Sequence, residues 1–302
     1  MLGAMIHPVV YFSTDARESL HRKTEFKRVI ESADIGGIQF HIFENGYAVF
    51  DTDNKVTTTV TCNSIFLALS LATGKSCLPM YEEEFNKVRL TPQGDVLNES
   101  KIGSLRNAFV IFREWRRQWE KEWKATVYPE TVARDMVELG SLIHDSRYRP
   151  IILTFYHAWS DKDRGDWTGS YWLSWTCIEM MLFEELRLHL ASQSVRIELM
   201  DAILKSWRLR NIIEYFSNEI KEGRMHEQAG NEFISATNLK EIGNVRDIRN
   251  RIVHKGYCPT RDETLNCYVL ADRAFHRCMF LSGIDYRKWR STPVQTEGKA
   301  SV

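Results

Sequence analysis

Two periods divide the pattern of hydrophobic and polar positions along the chain. Within the first hundred residues, Ile38-Gln39-Phe40-His41-Ile42-Phe43 alternates, Asn45-Gly46 supplies a turn with positive φ, and Tyr47-Ala48-Val49-Phe50 answers it. This predicts a β-hairpin, because alternation puts every second side chain on one face and Asn-Gly is the favoured two-residue connection. The β-branched run Val56-Thr57-Thr58-Thr59-Val60-Thr61 reads as a third strand. Pro79, Pro92 and Gly94 then punctuate a loop-rich passage.

From Ser104 onward the period becomes helical. Leu105, Phe109, Phe112, Trp115, Trp119 and Trp123 recur every three or four residues, with Arg113, Arg116, Arg117, Lys121 and Lys124 interleaved. Stacked indoles beside cations suit nucleic-acid bases, but the same pattern also describes a core-facing stripe with a solvated basic flank. Val132, Met136, Leu139 and Leu142 mark a second helix. Asp161 to Asp166 is a charged, glycine-containing break, and every later segment reads as helix: Tyr171 to about Leu190, Arg196–Leu204 and Arg208–Lys221. A further helix starts at Thr237 or Asn238 and stops at Gly256, and the last one opens on the capping box Thr260…Glu263. The expected fold is mainly α: residues 1–100 form a smaller α+β domain with the hairpin, 101–160 a helical connector, 166–290 an antiparallel helical bundle, and 291–302 a disordered tail.

Composition narrows the function classes. Forty basic residues balance forty acidic ones, which argues against a generic nucleic-acid coat but leaves room for a local basic stripe. The six cysteines form no CxxC pair or Cys/His box, so no metal site is expected, and Cys177 and Cys278 lie in apolar helical runs as reduced thiols of a cytoplasmic protein. The N-terminus lacks the basic and apolar regions of a secretory signal, and the Tyr171–Phe183 run is too short to span a bilayer. No Walker loop, GxGxxG, HExxH or GxSxG motif is present, and no cofactor is expected.

The helix from Asn238 to Lys255 separates into two faces. Ile242, Val245, Ile248 and Ile252 make an apolar stripe, while Arg246, Asn250 and His254 stack at i, i+4 and i+8 on another line, with Arg249 beside it and able to reach toward His254. RNA cleavage by 2′-hydroxyl attack needs one proton removed and one delivered, and imidazole does either near neutrality. The crowded phosphorane carries extra negative charge, which guanidinium grips in a bidentate fork. Arg249 would stabilise the phosphorane, His254 would transfer protons, and Asn250 would orient the imidazole or the phosphate. Arg246, Arg251 and Lys255 are candidate contacts to RNA phosphates. One histidine is thin for two proton transfers, so a homodimer joined on this helix is expected, each copy completing the other. The bare Arg-to-His spacing means little in a chain with 40 basic residues and nine histidines; the two-faced helix is what carries the reading.

Arg249-Asn250-Arg251-Ile252-Val253-His254-Lys255-Gly256 resembles the Arg-polar-x-x-x-His signature of the HEPN superfamily, and Tyr171-Trp172-Leu173-Ser174-Trp175-Thr176-Cys177-Ile178-Glu179 is similar to the first long helix of those domains. The resemblance covers residues 166–289 only. It implies a HEPN-like antiparallel bundle, a homodimer, and a metal-independent endoribonuclease that leaves a 2′,3′-cyclic phosphate, as in toxin and antiviral-defence systems with an antitoxin or regulatory partner. Glu179 and Tyr257 would be supporting residues; in one toxin branch a tyrosine two positions after the histidine is modified, whereas Tyr257 comes three after. The alternative is a non-catalytic HEPN-like module that binds RNA or a protein through the same bundle, or an immunity-type partner with a degenerate site.

Overall fold

Residues 1–6, 10–12, 28–43, 46–74, 76–90, 96–98, 126–224 and 233–289 are described in a computed structural model of the chain. The Trp-rich segment 104–124 and the tail from 292 lie outside the described residues. The chain divides into two compact units: Met1–Ser146 with Tyr286–Val302, and Arg147–Asp285. It is mainly helical, with a small antiparallel sheet near the N-terminus.

In the first unit, β1 (Leu2–Met5), β3 (Val29–Ile35), β4 (Ile38–Phe43), β5 (Tyr47–Phe50), β6 (Asn86–Leu90) and β7 (Val96–Asn98) form one sheet in the order β3-β4-β5-β1-β6-β7. Every pairing in it is antiparallel. A separate parallel pair joins β2 (Val10–Phe12) to β8 (Thr126–Tyr128). The expected hairpin is β4–β5, with Phe40 opposite Phe50 and Gly46 at φ 76°.

The expected third strand at Val56–Thr61 is instead the start of α1 (Lys55–Thr73). Propensity loses here to capping and burial. The Asn54 side chain caps the helix by accepting from the Thr57 N–H, and the Thr58 and Thr59 hydroxyls donate back to the carbonyls of Asn54 and Lys55. The run that follows, Ile65 to Leu69, is fully buried. On length and composition alone α1 would cross a membrane, but 72% of that stretch is buried within the fold. It packs on α2 (Glu130–Asp145), where a Cβ on Gly140 would come within 3.1 Å of the Ile65 Cα, so the two backbones meet at a position that only glycine fills well.

The second unit is a bundle of α3 (Arg149–Arg164), α4 (Trp167–Ser192), α5 (Ile197–Ser206), α6 (Leu209–Lys221), α7 (Ala236–Lys255) and α8 (Arg261–Leu281). The break at Asp161–Asp166 is a corner inside this unit: Gly165 ends α3 in the left-handed conformation and the Asp166 side chain caps α4. α3 runs antiparallel to α4, since the Ser170 hydroxyl donates to the Ala158 carbonyl at 3.0 Å while Cys177 lies beside Ile151 further along. α8 runs parallel to α4, with Thr264 bonded to Trp167 at one end and Cys278 against Met181 at the other. α7 returns antiparallel to α8, with Asn238 bonded to Arg273 and Arg251 near Glu263. Phe155 stacks on Phe275 at 4.6 Å inside this core, and burial pushes the Cys177, Cys267 and Cys278 thiols up.

One ion pair is buried in that core. Arg277 Nε donates to Glu185 Oε1 at 2.6 Å, with side chains 10% and 4% exposed. Removing one member takes the charge partner from the other in a low-dielectric interior, whereas replacing both by apolar side chains of similar size restores packing. Arg277→Met should therefore cost about 3–5 kcal/mol of unfolding free energy. The Glu185→Leu/Arg277→Met double variant should recover most of it in urea denaturation; equal losses in the two proteins would show that the pair is not what anchors α4 to α8.

Candidate functional site

The candidate residues lie on α7, and its two ends are set locally. The Ser235 side chain caps the first turn by accepting from the Asn238 N–H, two to three residues before the start expected from the sequence. Asn238 is buried instead, donating to the Phe233 carbonyl and accepting from Arg273. At the other end Gly256 has φ 60°, and its N–H bonds the Ile252 carbonyl at 3.1 Å, as an αL cap does.

Two consecutive residues of α4 hold the middle of α7. The Tyr171 hydroxyl donates to the Val245 carbonyl at 2.6 Å. Burial pushes the Tyr171 phenol up, so it stays protonated and remains a donor. One turn on, the Arg249 guanidinium lies 5.9 Å from the centre of the Trp172 ring, within cation–π reach. Their place in an aromatic run was visible in the sequence, but the role of each was not.

Arg249 is half-buried; its Nη1 donates to Asn250 Oδ1 at 3.4 Å. Its Nε, like that of Arg246, is buried and has no hydrogen-bond partner among the described residues. Arg246 also bonds the neighbouring Asp247 at 3.1 Å. Asn250 is half-buried and His254 and Lys255 are exposed. Arg246, Asn250 and His254 share a face, as their spacing requires. Arg249 and His254 do not: five residues turn a helix through about 500°, leaving them about 140° apart around the axis. The expected reach of Arg249 toward His254 is not made, because Trp172 and Asn250 engage the guanidinium instead.

Arg251 and Tyr257 serve the corner into α8. The Arg251 guanidinium lies 3.8 Å from the Tyr257 ring centre and 3.8 Å from Glu263 Oε1, and the Tyr257 hydroxyl donates to Glu263 Oε2 at 2.8 Å. Glu263 closes the capping box with Thr260. Burial works against its charge, yet the Thr260 N–H, the Tyr257 hydroxyl and Arg251 together hold the Glu263 carboxyl below its usual range. Glu179 lies seven residues past Trp172, about 10 Å along the helix, and makes no hydrogen bond or ion pair among the described residues. Elsewhere in the unit, burial and then Arg164 push His157 down to about 4, as suits a neutral packing residue. No three His, Cys, Asp or Glu side chains gather among the described residues as a metal site would need.

The apolar stripe of α7 is covered along only part of its length. Ile242 and Val245 are buried and Ile248 and Ile252 are half-buried, while Val253, on the polar side about 140° around the axis from Ile248, is 46% exposed. With Val245 level with Tyr171 and the helices antiparallel, the turns after Arg249 run out past the start of α4 at Trp167. The end of the motif therefore lies where the chain's own α4 does not reach, with Val253 exposed among its polar residues.

Tyr171→Phe keeps the ring and removes only the bond to α7. It should lower unfolding free energy by about 1 kcal/mol, with faster amide exchange concentrated between Val245 and Lys255. Exchange in α7 unchanged from wild type would show that the hydroxyl does not fix this helix. Compared with protein-family models, curated proteins and solved structures, the chain matches none, so the reading of the site rests on its own geometry.

Proposed function

We propose that the chain is a metal-independent endoribonuclease with a HEPN-like bundle, whose active site is whole only when two copies bring their α7 helices together. The observation that carries this is the divergence of Arg249 and His254 around α7, with Val253 exposed on the edge between them. One copy cannot present both groups to one phosphate from a single helix face. Two copies related by a twofold axis along that edge would supply two histidines and two guanidiniums around a shared cleft.

Within that cleft one His254 takes the proton from the 2′-hydroxyl, the oxygen attacks phosphorus, and the second His254 protonates the departing 5′-oxygen. Arg249 stabilises the phosphorane charge; with Nε buried and Nη1 donating to Asn250, its Nη2 is the donor left for a phosphate oxygen. Asn250, one turn before His254 on the same face, orients the imidazole or the phosphate, and Arg246 and Lys255 meet neighbouring phosphates. Arg251 is the weaker candidate for such contacts, being engaged with Tyr257 and Glu263. The setting is cytoplasmic and reducing, in a toxin- or defence-type system in which the N-terminal α+β unit or an antitoxin restrains cleavage.

The test is labelled single-stranded RNA with the purified full chain in EDTA. Cleavage should persist without metal and leave 2′,3′-cyclic phosphate and 5′-hydroxyl ends. His254→Ala should reduce the rate by about 10²–10⁴-fold, and Arg249→Ala by a similar factor. Binding without cleavage, unchanged by His254→Ala, would leave a non-catalytic RNA- or protein-binding module as the better account.

A further inference from the structure

Beside the motif, α6 and α7 leave a groove of about 520 Å³. Arg210, Glu214 and Ser217 line it from α6, and Lys240, Gly243 and Arg246 from α7. Three cations stand against two carboxylates. Glu214 is paired with Arg210 at 2.6 Å and Asp247 with Arg246 at 3.1 Å, while exposed Lys240 makes no ion pair among the described residues. At Gly243 a Cβ would meet nothing within 4 Å, so the middle of the groove is open.

The groove is continuous with the motif. At about 100° per residue, Lys240, Gly243, Arg246, Asn250 and His254 all fall within one third of the α7 circumference. Arg246 belongs to both features, lining the groove and standing one turn before Asn250. The opposite wall is held in place: Glu219 of α6 is buried against His189 of α4 at 3.8 Å and bonds Arg224 at 2.6 Å.

We propose that this groove is the substrate track of the nuclease, taking the sugar-phosphate backbone of single-stranded RNA on one side of the cleaved bond. The inference rests on the ribonuclease reading for the position of that bond but not for the binding itself. Polyanion chemistry follows from the excess of cations, and a single strand follows from the width. Adjacent packed helices lie 8–10 Å apart, and a cleft between them is far narrower than a duplex. Proteins that hold single strands without reading sequence use a charged groove that tracks the backbone. Lys240 and Arg246 contact successive phosphates, and the missing side chain at Gly243 lets the backbone lie close to α7.

The experiment uses the full chain carrying His254→Ala, so that RNA is bound but not cut, with fluorescence anisotropy of a labelled 12-nucleotide single strand at several salt concentrations. Lys240→Glu and Gly243→Glu should each weaken binding by about tenfold, and Lys240→Ala should reduce the slope of log affinity against log salt by about one. Gly243→Glu replaces glycine inside a helix at an open position, so its Tm should not fall and lost binding cannot be ascribed to unfolding. Unchanged affinity and salt slope in all three variants would overturn the groove, even if His254-dependent cleavage is found. Weakened binding with no cleavage by the unmutated chain would uphold the groove and sink the nuclease. Equal affinity for a duplex of the same sequence, or displacement of the RNA by an equal concentration of polyglutamate, would overturn single-stranded RNA as the occupant.

Discussion

The rotation of α7 about its own axis decides what this bundle can do, and that rotation is set by Tyr171 and Trp172. The Tyr171 hydroxyl takes a carbonyl in the middle of α7, and the Trp172 ring lies beside Arg249 one turn later. Together they fix one face of the helix against α4. A turn of about 100° would carry Val245 out of the core and bring its chain neighbour Asn244 or Arg246 into its place. The face with Arg246, Asn250 and His254 is turned away from α4, toward the groove with α6 and, at His254, toward solvent.

Placing α7 in this way leaves Arg249 on the border between the packed face and the open one. It is half-buried, held by a ring and by Asn250, and still has a buried Nε with no partner among the described residues. Such a guanidinium is pre-organised, with less rotamer freedom to lose than an extended surface arginine. Arg251, two residues on, is spent on the corner between α7 and α8 with Tyr257 and Glu263. The two arginines either side of Asn250 thus do different work, one available to a ligand and one locking the turn that ends the helix.

Much of the fold was legible in the sequence because many of its elements announce themselves locally. Thr260 with Glu263 gives a capping box, Gly256 an αL stop, and Ile42 with Ala48 a hairpin register, each needing only a few neighbouring residues. The strand expected at Val56–Thr61 failed because its threonines satisfy backbone carbonyls inside a helix whose stability comes from distant packing. The face of Arg246, Asn250 and His254 was readable from spacing alone. The turning of Arg249 toward Trp172 was not, since residues 172 and 249 meet only after two helices intervene. The groove with α6 was equally hidden, because it exists only where two helices pack.

The composite character of the proposed site is the claim on which the mechanism stands, and Val253 is the side chain that exposes it to test. It is 46% exposed on the edge between Arg249 and His254, so Val253→Glu places a charge where a second copy would pack without touching the core. Sedimentation velocity, run at the concentrations used for RNA cleavage, should give twice the chain mass for the wild type. It should give one chain mass for Val253→Glu, with unaltered Tm and cleavage lost. A wild type that sediments as one chain while it cleaves RNA, or a monomeric Val253→Glu that cleaves as fast as the wild type, would contradict the account.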